Sequence, residues 1–226
     1  MSCKRYLAGL FLTVMLIICF NLYISPLQAE NQLNQLKGDQ LSITIDQETN
    51  KPLLMIAKGN ANVVYGDLKL RGEMIEYARN TGKIKAEGQI VFQTVFNQQD
   101  NTITADQLDG NLHEEELYFS GNVRIENEEF FITAETLDYQ TENGQIVLKG
   151  LAGHQPVFNY EQAKTTATAQ IITIMPEEEQ ALFEGNVQGK GDGFSFGGDR
   201  LTIDLVTGNI TLLGNSQLRF EEQGDE

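Results

Sequence analysis

Three carboxylates of this chain recur at one place in a repeating pattern: Asp106, Glu135 and Asp199 each follow a small residue, Ala105, Ala134 and Gly198. Two carboxylates about 5 to 9 Å apart around a sugar could hydrolyse a glycosidic bond. Recurrence at one repeat position points instead to a solvated outer row. The two histidines, His113 and His154, stand far apart. His113 abuts the run Glu114-Glu115-Glu116, and His154 keeps the inward register four residues past Gly150. A structural role is expected for both. Nucleophilic catalysis lacks a candidate, because no serine-centred elbow is present and Cys3 and Cys19 lie in an N-terminal leader. Gly189-Lys190-Gly191-Asp192-Gly193 is one copy of what a calcium β-roll needs in tandem, and Phe196 breaks the spacing of a dinucleotide loop. A hairpin turn is expected there. These residues predict no enzyme, no metal and no cofactor.

The elements that position these residues are strands. In Glu116 to Glu126, Leu117, Phe119, Gly121, Val123 and Ile125 fall on every second residue, with Tyr118, Ser120, Asn122 and Arg124 between them. Such alternation is the mark of a half-buried strand. The pattern recurs around Gly59, Gly88, Gly121, Gly150, Gly185 and Gly214, spaced 29, 33, 29, 35 and 29 residues apart. A fixed period of this size signals a repeat architecture. Between the glycine strands lies a second kind, seen in LKLRGEMIEY, TITADQLDG, FITAETLDY, TATAQIITI and SFGGDRLTID. Each carries a small residue, after which the next apolar position comes three residues later instead of two. One extra residue flips a strand's inward face, so a β-bulge or corner is expected there. Gly weakens a strand interior and marks a bend or a close approach. Six glycines in register predict a continuous furrow or six matched bends.

The pattern predicts an all-β fold, with no helix after the leader. One domain is expected over residues 30–220, followed by an acidic tail at 221–226. Leu41 to Gln47 reads as a first, edge strand after a polar start, and Pro52 opens the first full repeat strand. Residues 1–29 combine Lys4 and Arg5, an apolar run and Ala29 before a polar segment. They read as a secretory signal, with an uncleaved membrane anchor as the alternative. Ile18 before Cys19 argues against lipid attachment. Residues 30–92 balance eight basic against eight acidic residues, whereas residues 93–226 hold six basic and 24 acidic, a net of −18. Such acidity excludes nucleic acid as a partner, since phosphate binding needs Lys and Arg.

GNANVVYGDLKLRGEMIEY and SGNVRIENEEFFITAETLDY resemble the repeats of the OstA-like family, the domain of the periplasmic lipopolysaccharide-transport bridge protein LptA, related to LptC and to the N-terminal domain of LptD. The resemblance spans about residues 40–220 through its repeated G-N-V and A-x-x-L-x-Y elements. It implies an elongated β-jellyroll of stacked antiparallel strands, built from two-strand repeats of about 30 residues. It further implies a periplasmic lipid conduit that takes the acyl chains of lipopolysaccharide into an apolar groove. An LptC-like inner-membrane protein and an LptD-like outer-membrane translocon would be its partners, with head-to-tail homo-oligomers also open. The driving energy would come from the transporter's ATP hydrolysis. Under this reading the inward residues Ile84, Ala86, Ile90, Phe92, Leu117, Phe119, Val123, Ile125, Ile146, Leu148, Phe183 and Val187 line the groove. Lys69, Arg71, Lys83 and Lys85, in the neutral part, would meet the headgroup. A chain of a dozen carbons would cost roughly 10 kcal/mol to drag through water, so a dry path is needed. The alternative is a scaffold β-repeat protein of envelope assembly, without lipid cargo.

Overall fold

The computed structural model describes residues 33–96, 99–151, 153–161 and 164–220; the expected leader and acidic tail lie outside the described residues. The chain divides into two units, Met1–Leu33 and Asn34–Glu226, and the second carries the fold. Its strands are β1 (Leu33–Lys37), β2 (Gln40–Ile45), β3 (Pro52–Tyr65), β4 (Leu68–Ala78), β5 (Lys83–Phe96), β6 (Gln99–Asn111), β7 (Glu116–Glu126) and β8 (Phe130–Gln140). They continue as β9 (Ile146–Lys149), β10 (Val157–Tyr160), β11 (Thr165–Thr168), β12 (Ile171–Met175), β13 (Gln180–Gly191), β14 (Phe194–Asp204), β15 (Ile210–Leu213) and β16 (Gln217–Phe220). The helical element among the described residues is a 3-10 turn, Pro176–Glu178. The fold is all-β, as the repeat predicts, and its stacked antiparallel strands are those of the jellyroll that the resemblance implies.

Each strand from β3 to β8 pairs antiparallel with the next, so every hairpin lies beside the one before it. At their midpoints the long strands break register. On β7 the pairing with β8 jumps from Ser120↔Thr136 to Val123↔Ala134, leaving Gly121 and Asn122 opposite the single residue Glu135. The same two-against-one bulge sets Gly59-Asn60 against Glu73, Gly88-Gln89 against Asp106, and Gly185-Asn186 against Asp199. Gly121 sits at φ +76° and Asn122 at +48°, in the left-handed region. There Gly has no Cβ to clash and Asn is among the few side chains tolerated.

The bulge bends the sheet into two layers. Glu116–Ser120 of β7 belongs to the first layer and residues 123–126 to the second, and the other long strands divide likewise. Across the interior Phe92 of the second layer meets Phe119 of the first at 5.4 Å between ring centroids. Phe158 and Phe183 meet at 5.2 Å in the same way. The matched bends of the sequence reading are therefore present, as a ridge along one side of a sandwich. The extra residue expected in the acid-bearing strands is the other half of the bulge. Ile103 and Ala105 point inward on β6, and after Asp106 and Gln107 the next buried residue is Leu108.

Two expectations change. The polar start contains a strand, β1. Gly150 carries no bulge: the chain leaves the sheet after β9 and returns at β10, so that residues 150–156 loop out where β8 spends only two residues between Thr133↔Val157 and Thr136↔Lys149. His154 lies exposed in this loop, not in an inward strand register. The loop accounts for the 35-residue spacing.

Candidate functional site

The candidate site is the apolar interior between the layers. All twelve inward residues of the sequence reading, from Ile84 on β5 to Val187 on β13, are at most 3% exposed. The two layers share them. Ile84, Ala86, Leu117, Phe119, Ile146, Leu148 and Phe183 line the first layer, and Ile90, Phe92, Val123, Ile125 and Val187 line the second. The interior is uncharged among the described residues, whose buried polar side chains are Thr94, Asn101 and Thr165. It is also packed shut. Between Val63, Leu70 and Phe92 on one side and Ile84, Leu108 and Leu117 on the other, a cavity of about 10 Å³ remains, space for one water at most.

The column stays apolar at both ends but is no longer covered there. On β2, Leu41 and Ile43 pair with Ala57 and Met55, which places them on the inner face, yet each is 53% exposed. At the other end Leu218 and Phe220 pair with Phe196 and Phe194 and are 53% and 78% exposed. Among the described residues β1 and β2 pair with β3 alone, and β15 and β16 with β14 alone. Within that set their outer edges carry no strand partner.

The carboxylate row lies on the outside of the ridge. Asp106 Oδ2 accepts from Asn122 Nδ2 at 2.8 Å, and a Cβ added to Gly121 would fall 2.6 Å from that same oxygen. Asp39 with Gly59-Asn60 and Asp199 with Gly214-Asn215 repeat this arrangement, with amide donations of 3.0 and 2.9 Å. Asp39, Asp106 and Asp199 thus fasten their bulges. Among the described residues no group of His, Cys, Asp and Glu is arranged to hold a metal ion. Lys69, Arg71, Lys83 and Lys85 are exposed on the outer faces. Lys85 is in an ion pair with Asp109 at 3.0 Å, and the carboxylate raises its pKa.

Sequence reasoning missed the side opposite the ridge. Of the five tyrosines among the described residues, four lie buried along this lip: Tyr77 and Tyr139 from the first layer, Tyr65 and Tyr160 from the second. Tyr139 Oη and Thr94 Oγ1 are 3.1 Å apart, a hydrogen bond between layers. Tyr65 lies within electrostatic reach of Tyr77 and Glu115, and the Tyr160 ring packs beside Gly208 in the turn after β14. Burial raises the pKa of all four phenols. Tyr77 and Tyr139 are the final residue of the A-x-x-L-x-Y element or its Gly72 counterpart, so the signal was present in the repeat.

A two-layer stack of bent antiparallel hairpins around an apolar interior is the build of a β-jellyroll. Residues 102–209, just under half of the chain, match the family described as LptA/(LptD N-terminal domain) LPS transport protein. That stretch is therefore similar to the LptA/OstA-like family. Among solved structures the chain is similar to LptH, described as the LptA homologous periplasmic component of the conserved lipopolysaccharide transport device from Pseudomonas aeruginosa. The identity is 13% and the TM-score 0.46, over 56% of this chain and 87% of that one. No curated protein matches. No helix among the described residues is long and apolar enough to cross a membrane.

Proposed function

We propose that this protein is a periplasmic conduit for lipopolysaccharide, holding the acyl chains between the two layers and passing them along the stack. The observation that carries this reading is the single uncharged column, buried in the middle and exposed at both ends. A closed core would cover its ends; a segment of a longer path leaves them open. The unpaired edges of β2 and of β15 and β16 suit strand addition by partner jellyrolls, an LptC-like protein on one side and an LptD-like translocon on the other, or by further copies of this chain. An exported location follows from the leader, whether cleaved or kept as an anchor. The sugars and phosphates of the lipid stay outside, away from an interior that has no counter-charge to offer them, and the exposed Lys69, Arg71, Lys83 and Lys85 offer cations to them.

The 10 Å³ cavity favours a second reading, a scaffold repeat whose core never opens. The two separate cleanly. A photo-crosslinker at Phe92 or Phe119 captures lipopolysaccharide in cells if the interior carries it, whereas one at the outward Tyr118 does not. Equal capture at all three positions overturns the conduit. Phe119→Glu blocks transport under the first reading, and mass spectrometry of the purified protein finds no bound lipid under the second.

A further inference from the structure

Where β13 and β14 pair in the second layer they carry four glycines, Gly189, Gly191, Gly197 and Gly198, and three of these have a structural reason. A Cβ at Gly189 would strike the Phe196 ring and one at Gly191 the Phe194 ring, while one at Gly198 would press on the carbonyl oxygens of Gly214 and Leu213 at 3.2 and 3.4 Å. Gly197 has no such reason. Its added Cβ would meet only the Val187 carbonyl oxygen, at an ordinary 3.5 Å, and its φ lies outside the left-handed region. In the other strands of this kind the same position, just before the small residue, holds Arg71, Thr104, Thr133 or Thr168, each on the outer face. Glycine weakens a strand interior and often marks a place where something else approaches the backbone.

The missing side chain leaves a cleft of about 500 Å³ on the outer face. Gln188 and Gln217 flank Gly197 in register on β13 and β16, and in the next row Lys190, Ser195 and Arg219 sit side by side across the same three strands. Both cations are exposed. Residues 93–226 hold six basic residues. Arg124, Lys149, Lys164 and Arg200 each pair with a carboxylate, that of Glu126, Asp138, Asp192 and Glu184. Lys190 and Arg219 are in no ion pair among the described residues, although 24 acidic residues surround them in the sequence. Asp199, at the far end of the cleft, is engaged by the Asn215 amide at 2.9 Å. Two uncompensated cations either side of a hydroxyl thus make a local positive spot on a negative surface. Neighbouring strands lie about 4.8 Å apart, so an anion over Ser195 is within reach of both. Guanidinium, ammonium and hydroxyl donors converging on one point suit a phosphate, whose oxygens accept in several directions.

We propose that this cleft is a phosphate site: the oxyanion rests over Ser195 between Lys190 and Arg219, and the group that carries it lies in the hollow above Gly197. The cleft is on the outer face, apart from the apolar interior, and its role is independent of the conduit. Amide NMR of the full chain tests it with inorganic phosphate, against sodium chloride at equal ionic strength. Phosphate moves the Ser195, Gly197 and Gln217 amides in a saturable way and chloride does not. No movement, or movement of equal size around Lys69 and Lys83, overturns the site. Arg219→Gln weakens the phosphate affinity about tenfold, the factor for one charge-assisted hydrogen bond; an unchanged affinity overturns the assignment. Gly197→Thr restores the residue type that Thr104, Thr133 and Thr168 supply elsewhere. It abolishes binding and leaves Tm the same or higher, as removal of a strand glycine should. A lower Tm makes Gly197 structural, and full binding makes the hollow irrelevant; either result overturns the site. Native and dephosphorylated lipopolysaccharide then separate the sources of the phosphate. Shifts at the same amides with the native form alone assign the polar head of the lipid, and shifts with inorganic phosphate but neither lipid assign a soluble phosphate.

Discussion

The ridge and the lip join the same two layers by different physics. At the ridge the polypeptide itself passes from one layer to the other, and its angle is fixed by backbone conformation: left-handed φ at Gly121 and Asn122, with Asp106 bonded to the Asn amide. At the lip no strand crosses, and rings and hydroxyls from facing strands hold the layers together. The ridge therefore cannot part without breaking strand pairing, while the lip can part for the cost of a few side-chain contacts. The two sides of the sandwich are thus joined differently, by backbone at the ridge and by side chains at the lip.

The largest expected effect is at the ridge. Gly121→Ala forces a Cβ into left-handed backbone and against the Asp106 carboxylate, and it costs about 2 to 4 kcal/mol. Gly153→Ala is its control, because φ is +93° there but nothing lies within 4 Å; it costs only about 1 kcal/mol of backbone strain. Urea unfolding measures both, and equal losses would remove the ridge's special status. Next comes alkaline pH. The four lip phenols have raised pKa values in the folded state, so they favour folding below the unfolded value of about 10. That contribution is lost as pH rises from there through the folded values. Tyrosinate absorbance, with amide exchange at Thr94 and Tyr139, should report the lip opening before the ridge amides exchange. Simultaneous exchange at both would mean that they unfold as one. The smallest effect is Asp106→Ala, which removes one exposed hydrogen bond, worth roughly 0.5 to 1 kcal/mol, and puts no new side chain in left-handed backbone. In a double-mutant cycle its loss should largely vanish in an Asn122→Ala background.

The interior was legible because period-two alternation is a local property of each strand, and Leu117, Phe119, Val123 and Ile125 show it without reference to any partner. The bend was legible as well, because the glycine of one strand and the small residue of the next each broke that alternation. What two neighbouring strands build together was not. That Asp106 caps Asn122 needs both strands in register, and the row of carboxylates looked like plain solvated surface. Gly150 was matched to the other glycines on its position alone. Strand β1 escaped notice because LNQLK offers only Leu33 and Leu36, three apart, with no alternation to read. The lip required knowing which strands face each other, since Thr94 and Tyr139 are 45 residues apart and belong to strands that do not pair.

The loop of residues 150–156 has a practical consequence. It leaves the stack at the corner and rejoins it in the same antiparallel register, with Lys149 and Val157 both paired to β8. Added length at this point changes neither the inward residues nor the spacing of the strands on either side. Leu151, the second residue of the loop, is 64% exposed. A fluorophore or an epitope inserted there would travel with the protein as a silent passenger, and the chain holds a natural attachment point for following its assembly in living cells.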